Sequence, residues 1–170
     1  MDVTYTFRIC KESDLSQMSE LGQEVFGVVR DRAYWEWKYL RNPAGKALSP
    51  LAIADDRVVG LLGSIPVRFS VAGKQVLVGQ ELDVAMLEQY RRFDALFEMI
   101  ALQKKTFLQE GIDFLYGFSL DVSSDVGQTL FQRKKSPRFP DSKRSWTSHL
   151  CWRSARRFPP SPDCSLPSGT

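Results

Sequence analysis

The apolar positions of the chain follow two periods, and each change of period separates two predicted elements. Alternation or a short apolar run predicts strand segments over residues 3–9, 51–54, 58–65, 67–71, 76–86 and 112–118. Helical spacing predicts one helix over 13–25, capped by Ser13 and closed by Gly27, and another over 32–40, capped by Asp31. Pro66 is expected to bend or end the strand that precedes it.

A strand–helix–strand segment in the middle of the chain organises the rest of the prediction. Its first strand leads into a third helix, whose apolar face is expected to contain Phe93, Phe97, Ile100 and Phe107. Gly111 ends this helix at the position where a left-handed cap is most favourable. The next strand follows directly, and a crossover of this kind joins parallel neighbours.

The start of the third helix has the features of an anion site. Its first backbone amides have no partner within the helix, and the helix dipole adds positive potential there. Arg91 and Arg92 precede the helix and add charge. A basic helix start that simply faces solvent is the alternative, and it stays open for these two residues.

These elements have the order β-α-α-β-β-β-α-β, which predicts a mixed α/β (α+β) sheet with helices on its faces. A chain of 170 residues, 43% of them hydrophobic, can bury one such core. No apolar run approaches the roughly 18 residues of a membrane helix, so no membrane association is expected. The three widely spaced cysteines predict neither a metal site nor a disulfide framework. With no secretion signal either, a cytoplasmic location is expected.

Charge divides the chain into two parts. Residues 1–132 hold 14 Lys/Arg and 18 Asp/Glu, a balance of −4, whereas residues 133–170 hold 9 and 2, a balance of +7, and six of the nine prolines. A domain over 1–132 is therefore predicted, followed by a disordered, basic, Pro/Ser-rich tail over 133–170. Binding of nucleic acid by this tail, which holds Trp146 and Trp152, is the less favoured alternative.

Three segments resemble the GNAT superfamily of acetyl-CoA-dependent N-acetyltransferases, whose order of elements is the one predicted here. Residues 34–45, with YWEWKY and NPAG, are similar to the YWxWKYxxNPxG segment of one branch of the family. Residues 79–84, GQELDV, with the basic turn 90–92, resemble the cofactor strand and the start of the pyrophosphate loop. Residues 113–118, DFLYGF, are similar to the next strand. The resemblance covers residues 5–131.

The resemblance implies an enzyme that moves an acetyl group from acetyl-CoA to an amine of a small molecule or peptide. In the family the cofactor strand and the next parallel strand part, and the pantetheine arm lies between them. The implied cofactor-binding residues are Leu82, Asp83, Val84, Ala85, Met86, Arg91, Arg92, Phe93, Asp94, Ala95 and Leu96. Glu81 is implied as the general base, and Tyr116 as the acid that protonates the leaving thiolate.

Departures from the family pattern support a second hypothesis, a catalytically inactive GNAT-like binding module or a truncated remnant. Asp94 and Leu96 stand where the family's loop has a glycine and a small residue. The Asp94 carboxylate would repel a diphosphate, or it stabilises the first helical turn without a ligand, and both interpretations stay open. The family's last strands are expected to be lacking, which would leave an open sheet edge where a second copy could pair as a homodimer.

Ordinary structural roles remain beside the catalytic ones. Glu81 and Asp83 are expected to share one face of their strand, either as a coupled carboxylate pair or within an exposed face. Tyr116 could be a packed tyrosine with a hydrogen-bonded hydroxyl. The aromatic residues of 34–39 are better explained as anchors of a short helix than as an acceptor site. His149, the single histidine, lies in the predicted tail, so no serine–histidine or cysteine–histidine mechanism is expected.

Overall fold

A computed structural model of the protein describes residues 3–112, 114–120, 134–135 and 146–153, with side chains as far as Phe118. The strands lie in one sheet in the order β1-β2-β3-β4-β5-β7-β6. No helix within the described ranges is long and apolar enough to cross a membrane. The elements are β1 Thr6–Ile9, α1 Leu15–Phe26, α2 Arg32–Trp35 with a π-helical continuation Glu36–Leu40, β2 Pro50–Ala54, β3 Arg57–Val71, β4 Lys74–Met86, α3 Phe93–Gln109, β5 Phe114–Leu120, β6 Lys134–Lys135 and β7 Trp146–Arg153.

The predicted order of elements and the mixed sheet are confirmed. Neighbouring strands from β1 to β4 are antiparallel, and α3 carries the chain to β5, which lies parallel to β4. Asp55 and Asp56 form the turn between β2 and β3 with φ of 49° and 57°, a left-handed turn whose twist matches that of the strands. Asp31 caps α2 as predicted, because its carboxylate accepts a hydrogen bond from the Tyr34 amide at 2.8 Å.

Pro66 does not end a strand, so that part of the prediction is wrong. β3 runs through it as one strand, and Pro66 lies opposite Gly79 of β4. The pairing of β3 with β2 ends at Leu61. Pro66 therefore lies where β3 has a strand on one side only among the described residues. A missing N–H is tolerated on the side that faces no strand.

Helices cover both faces of the sheet. α1 packs on α2 through Gly22 and Trp35, and a side chain at Gly63 would meet Tyr39, which follows α2. A side chain at Gly79, on the opposite face, would meet Phe107 of α3. The fully buried core includes Leu15, Met18, Leu21, Tyr39, Leu51, Leu61, Leu62, Met99, Phe107 and Leu115.

The buried face of α3 differs from the predicted one. Phe93 and Phe97 are 70% and 49% exposed, so these two residues were wrongly assigned to the core. The polar Gln103 lies inside the buried face and interrupts its apolar pattern. For that reason the helical spacing of Phe93 and Phe97 with Ile100 predicted the wrong part of the helix surface to be buried. The residues of α3 that are buried are Ala95, Met99, Ile100, Gln103 and Phe107.

Glycines end the two long helices as predicted. Gly27 and Gly111 have φ of 68° and 72°, in the left-handed region. α3 closes with a hydrogen bond from the Ile112 amide to the Phe107 carbonyl at 2.9 Å, the 6→1 bond typical of a glycine C-cap. Ser13 is not the cap of α1, contrary to the prediction, because it lies in a 3₁₀ turn that precedes the helix.

Two strands come from the segment that was predicted to be a tail. β7 pairs antiparallel with β5 along its length, and the short β6 pairs with β7. β5 therefore has a strand on each side, where the prediction expected an open edge. Large apolar residues at Trp146, Leu150 and Trp152 share one parity, a strand signal that the surrounding charges and prolines obscured. The rest of the predicted tail lies outside the described residues.

Candidate active site

The parallel strands β4 and β5 part shortly before the start of α3. Their register begins at Val78 and Phe114 and ends at Glu81 and Gly117. Beyond this point β4 pairs with β3 but not with β5, and β5 continues beside β7. Backbone groups of β4 over 82–86 that point toward β5 are therefore left without a strand partner among the described residues. This is the parting that the GNAT resemblance implied.

An extra residue in β4 lies at the point where the strands part. Gly63 of β3 stands opposite two residues of β4, Leu82 and Asp83, instead of one. Asp83 has a φ of 48°, in the left-handed region that residues with a Cβ rarely adopt. A Cβ at Gly63 would overlap the Leu82 carbonyl oxygen and lie 2.6 Å from the Tyr39 hydroxyl. The glycine thus gives the bulge its room, and the bulge redirects β4 beyond it.

The Asp83 carboxylate turns toward the α2 face. Its Oδ2 accepts hydrogen bonds from Lys38 Nζ at 2.5 Å and from the Tyr39 hydroxyl at 3.0 Å. Burial, and after it the Asp83 carboxylate, raises the pKa of Tyr39, so this phenol keeps its proton. The prediction that Glu81 and Asp83 share one face is wrong, because the bulge shifts the alternation of the strand by one residue.

A cavity of about 380 Å³ opens between the end of β4, the start of α3 and the last turn of α1. It brings together residues of the strand end and the helix start that were both predicted to bind cofactor. Val25 was missed because only the folded chain shows that the end of α1 reaches this site, and Met99 of α3 was missed because it lies beyond the predicted stretch 91–96. Leu82, Asp83, Asp94 and Ala95 do not line it. The lining residues are Val25, Val84, Ala85, Met86, Arg91, Arg92, Phe93, Leu96 and Met99.

The Asp94 side chain is folded onto the start of its own helix. Its Oδ1 accepts a hydrogen bond from the Ala95 amide at 2.8 Å, and Arg92 donates to its two oxygens at 3.1 and 2.9 Å. The hydrogen bonds from Arg92, and after them the Ala95 amide, lower the pKa of Asp94. Of the two interpretations of Asp94, the structure therefore supports the one in which the carboxylate stabilises the first turn of α3 without a ligand. It also means that the carboxylate occupies an amide that an anionic ligand would use.

Both arginines at the cavity are engaged with the chain. Arg91 Nε donates to the Met86 carbonyl at 3.2 Å, which ties the turn after β4 to the last residue of the strand. Arg92 forms its ion pair with Asp94 at 2.9 Å. The two guanidinium groups still give the otherwise apolar cavity a positive rim, because the ion pair with Asp94 neutralises only one of the two charges.

Glu81 and Tyr116, the predicted base and acid, lie on opposite faces of the sheet. Tyr116 pairs in register with Gln80, and its hydroxyl donates to Gln80 Oε1 at 3.0 Å. Burial raises the pKa of Tyr116. Glu81 follows Gln80 and so points to the α3 face, where it is 7% exposed and lies beside Gly117. Glu81 belongs to the last paired position before the cleft, and Tyr116 belongs to the paired position before that one.

Solved structures that are similar to this chain include acetyltransferases and complexes with acetyl-CoA or CoA. Arabidopsis thaliana NAA60 in complex with acetyl-CoA is similar with a TM-score of 0.66 and 13% identity, covering 87% of this chain and 98% of that one. A Trypanosoma brucei acetyltransferase has a TM-score of 0.64 and 20% identity, covering 82% and 99%. The aminoglycoside N-acetyltransferase AAC(6')-Iy in complex with CoA has a TM-score of 0.64 and 16% identity, covering 84% and 97%. At these identities the likeness shows the fold alone. Comparison with curated proteins gave no match.

The mixed sheet, the crossover helix and the parted strands define a protein with the N-acetyltransferase fold. A family model described as acetyltransferase (GNAT) domain matches residues 6–125, well over half of the chain. The chain therefore belongs to the GNAT acetyltransferase family.

Proposed function

We propose that this protein is an N-acetyltransferase that binds acetyl-CoA in the cleft between β4 and β5 and transfers its acetyl group to an amine of a small molecule or peptide. The observation that carries the proposal is the parting of these strands directly before the start of α3. A parallel pair that stayed hydrogen-bonded throughout would leave no backbone for a ligand to use and no space between the strands.

The residues around the cleft fit the two ends of the cofactor. Pantetheine carries two amides on an extended chain, and such a chain can pair with strand backbone that has no strand on one side, here over 82–86 on the side toward β5. The apolar wall suits its alkyl segments. A diphosphate would meet Arg91, Arg92 and the first amides of α3. Asp94 fits less well, because a diphosphate would have to displace or tolerate its carboxylate.

The chemistry requires one proton to leave the amine and one to reach the sulfur. The amine nitrogen bonds to the acetyl carbon, the carbon–sulfur bond breaks, and CoA leaves as its thiol. We assign Glu81 to accept the amine proton, because its side chain lies at the last paired position before the cleft. Tyr116 keeps its proton at neutral pH and is assigned to donate it to the sulfur. Because these two groups lie on opposite faces, the proposal requires the acetyl group to lie between β4 and β5, just beyond their last paired position.

The similar structures support the choice of cofactor and leave the acceptor broad. NAA60 is in complex with acetyl-CoA, and the aminoglycoside N-acetyltransferase is in complex with CoA. One fold serves unrelated acceptors, so function has to be argued from the site. An amine of a small molecule or a peptide is therefore as narrow an acceptor class as the cleft supports.

A GNAT-like module that binds without catalysis is the second candidate. The contact between the Asp94 carboxylate and the Ala95 amide favours it, because the helix start then satisfies its own amide and opposes an anion. Leu96, which stands where the family has a small residue, lines the same cavity.

Calorimetric titration of the full chain with acetyl-CoA separates these candidates. For the wild type we expect heat of binding and a melting temperature that rises with ligand concentration. If millimolar acetyl-CoA produces neither heat of binding nor a rise in melting temperature, the proposed function is wrong. Binding without release of CoA thiol for any amine in a broad panel would support the non-catalytic module.

Asp94→Gly is the matched variant for the same titration. It frees the Ala95 amide and removes a like charge, so we expect acetyl-CoA to bind about tenfold more tightly. Asp94→Asn removes the charge but can still accept from the amide, and a smaller gain is expected. No gain in the glycine variant, together with no binding by the wild type, would favour the non-catalytic module.

A further inference from the structure

Asp83 has a backbone conformation that its side-chain contacts must stabilise. Its φ of 48° lies within a strand, and the left-handed region is unfavourable for a residue with a Cβ. The strand partners do not select this conformation, because β3 offers one residue, Gly63, opposite Leu82 and Asp83. The stabilising contacts therefore have to come from outside the sheet.

Two consecutive residues of one helical segment supply these contacts. Lys38 Nζ and the Tyr39 hydroxyl both donate to Asp83 Oδ2, at 2.5 and 3.0 Å. Both residues belong to the π-helical segment after α2. A π turn is wider than an α turn, so consecutive side chains diverge less and can reach one oxygen together.

The two donors are themselves fixed by their surroundings. Tyr39 is fully buried, with its ring 5.4 Å from the ring of Trp35. Lys38 donates to the Tyr34 hydroxyl at 3.1 Å, and its ammonium lies 5.3 Å from the centre of the Tyr34 ring. A surface ion pair between two mobile side chains would contribute little. Here both partners are largely buried, with side chains 16% and 23% exposed for Lys38 and Asp83.

We propose that Lys38 and Tyr39 are positioning residues for acetyl-CoA: by holding the Asp83 carboxylate, they keep the bulge that parts β4 from β5. The proposal rests on the proposed function of the cleft. It assigns a role to two side chains that do not line the cavity. Without the two donors, β4 would lose the interaction that selects the left-handed residue, and the backbone over 82–86 would no longer be presented in one conformation.

The double variant Lys38→Met/Tyr39→Phe tests this in the full chain. Methionine and phenylalanine keep most of the buried volume, so the fold should survive, and circular dichroism checks it. We expect acetyl-CoA to bind about tenfold more weakly, measured where wild type and variant are both folded. Amides over 82–86 should exchange hydrogen faster than in the wild type, with or without acetyl-CoA.

A rescue pair separates backbone conformation from charge. Adding Asp83→Gly or Asp83→Ala to the double variant removes the unpaired carboxylate in both cases. Only glycine adopts a φ near 48° without strain. We therefore expect Asp83→Gly to recover acetyl-CoA binding and Asp83→Ala not to recover it. A merely structural ion pair would give the same recovery with both.

Arg41→Met is the matched control for the loss of one positive charge from the same region. Arg41 pairs with Glu36 at 3.2 Å and has no hydrogen bond to Asp83, so its loss should leave acetyl-CoA binding and exchange over 82–86 unchanged. Unchanged exchange over 82–86 in the double variant, or equal recovery with glycine and alanine, would overturn the proposal. If the wild type fails to bind acetyl-CoA, the proposed function fails, and the exchange measurements still decide the role of Lys38 and Tyr39.

Discussion

The role of a single carboxylate in this chain depends on which groups donate hydrogen bonds to it, and the sequence alone does not identify those donors. Asp14 accepts from both terminal nitrogens of Arg8, at 2.6 and 2.7 Å, and from the Lys11 amide at 2.7 Å. Its side chain is 7% exposed and that of Arg8 is 34% exposed, so water screens the pair only in part. A bidentate guanidinium–carboxylate pair in such a place is among the stronger polar contacts of the fold.

Asp14→Asn is expected to lower the free energy of unfolding by about 2 kcal/mol at pH 7, because it removes charged hydrogen bonds. Hydrogen bonds from Arg8 lower the pKa of Asp14 below its ordinary value of 3.8. The stabilisation is therefore fully present above that value and is lost as the pH falls through the lowered pKa. Urea unfolding of both proteins between pH 2 and pH 7 measures this. Glu20→Gln, at an exposed position, controls for net charge. A difference that does not shrink at low pH would contradict the assignment.

The candidate site was predictable where its residues are consecutive in the chain. The end of β4 and the start of α3 are separated by a short turn, so their residues had to lie together, and both line the cavity. Val25 lies far away in sequence and was not predictable from spacing. The direction of the Asp83 side chain could not be predicted either, because an alternation rule assumes a regular strand, and the bulge breaks it.

At the scale of elements, local signals were reliable and signals that depend on packing were not. Asp31, Gly27 and Gly111 act through neighbouring backbone and were placed correctly. The effect of Pro66 on its strand was misjudged, because that effect depends on whether another strand lies on the N–H side of the proline. The face of α3 was misjudged, because a buried glutamine and exposed phenylalanines reverse the usual preference, and only the fold decides that.

Gly63→Ala tests the packing of the bulge. The new Cβ would overlap the Leu82 carbonyl and crowd the Tyr39 hydroxyl, both held by buried structure, so we expect a loss of at least about 3 kcal/mol in unfolding free energy or failure to fold. Gly27→Ala is the control, with φ of 68° and nothing within 4 Å of its Cβ, and should cost about 1 kcal/mol. Chemical denaturation and soluble yield measure both. Equal effects would show that the bulge is not tightly packed.

At the scale of the whole molecule, the chain joins a family-matched region to a strand that lies beyond it. Residues 6–125 contain the parted strands and every residue that lines the cavity. β7 comes from outside this match and pairs with β5, on the side of β5 away from β4. The predicted domain boundary at residue 132 therefore separates the parted strands β4 and β5 from β7, the strand that pairs with β5.

Truncation after residue 132 is expected to open the sheet at β5. β5 would keep only its short parallel register with β4, from Val78 to Glu81, and would expose its other edge. Open edges pair with other chains, so we expect self-association that increases with concentration, measured by sedimentation. A melting temperature lower by roughly 5–10 °C is also expected. Truncation after residue 153 retains β7 and removes only a Pro/Ser-rich stretch, so it should behave as the full chain does. If the shorter protein stays monomeric and melts with the longer one, β7 does not support β5, and the cleft belongs to residues 1–132 alone.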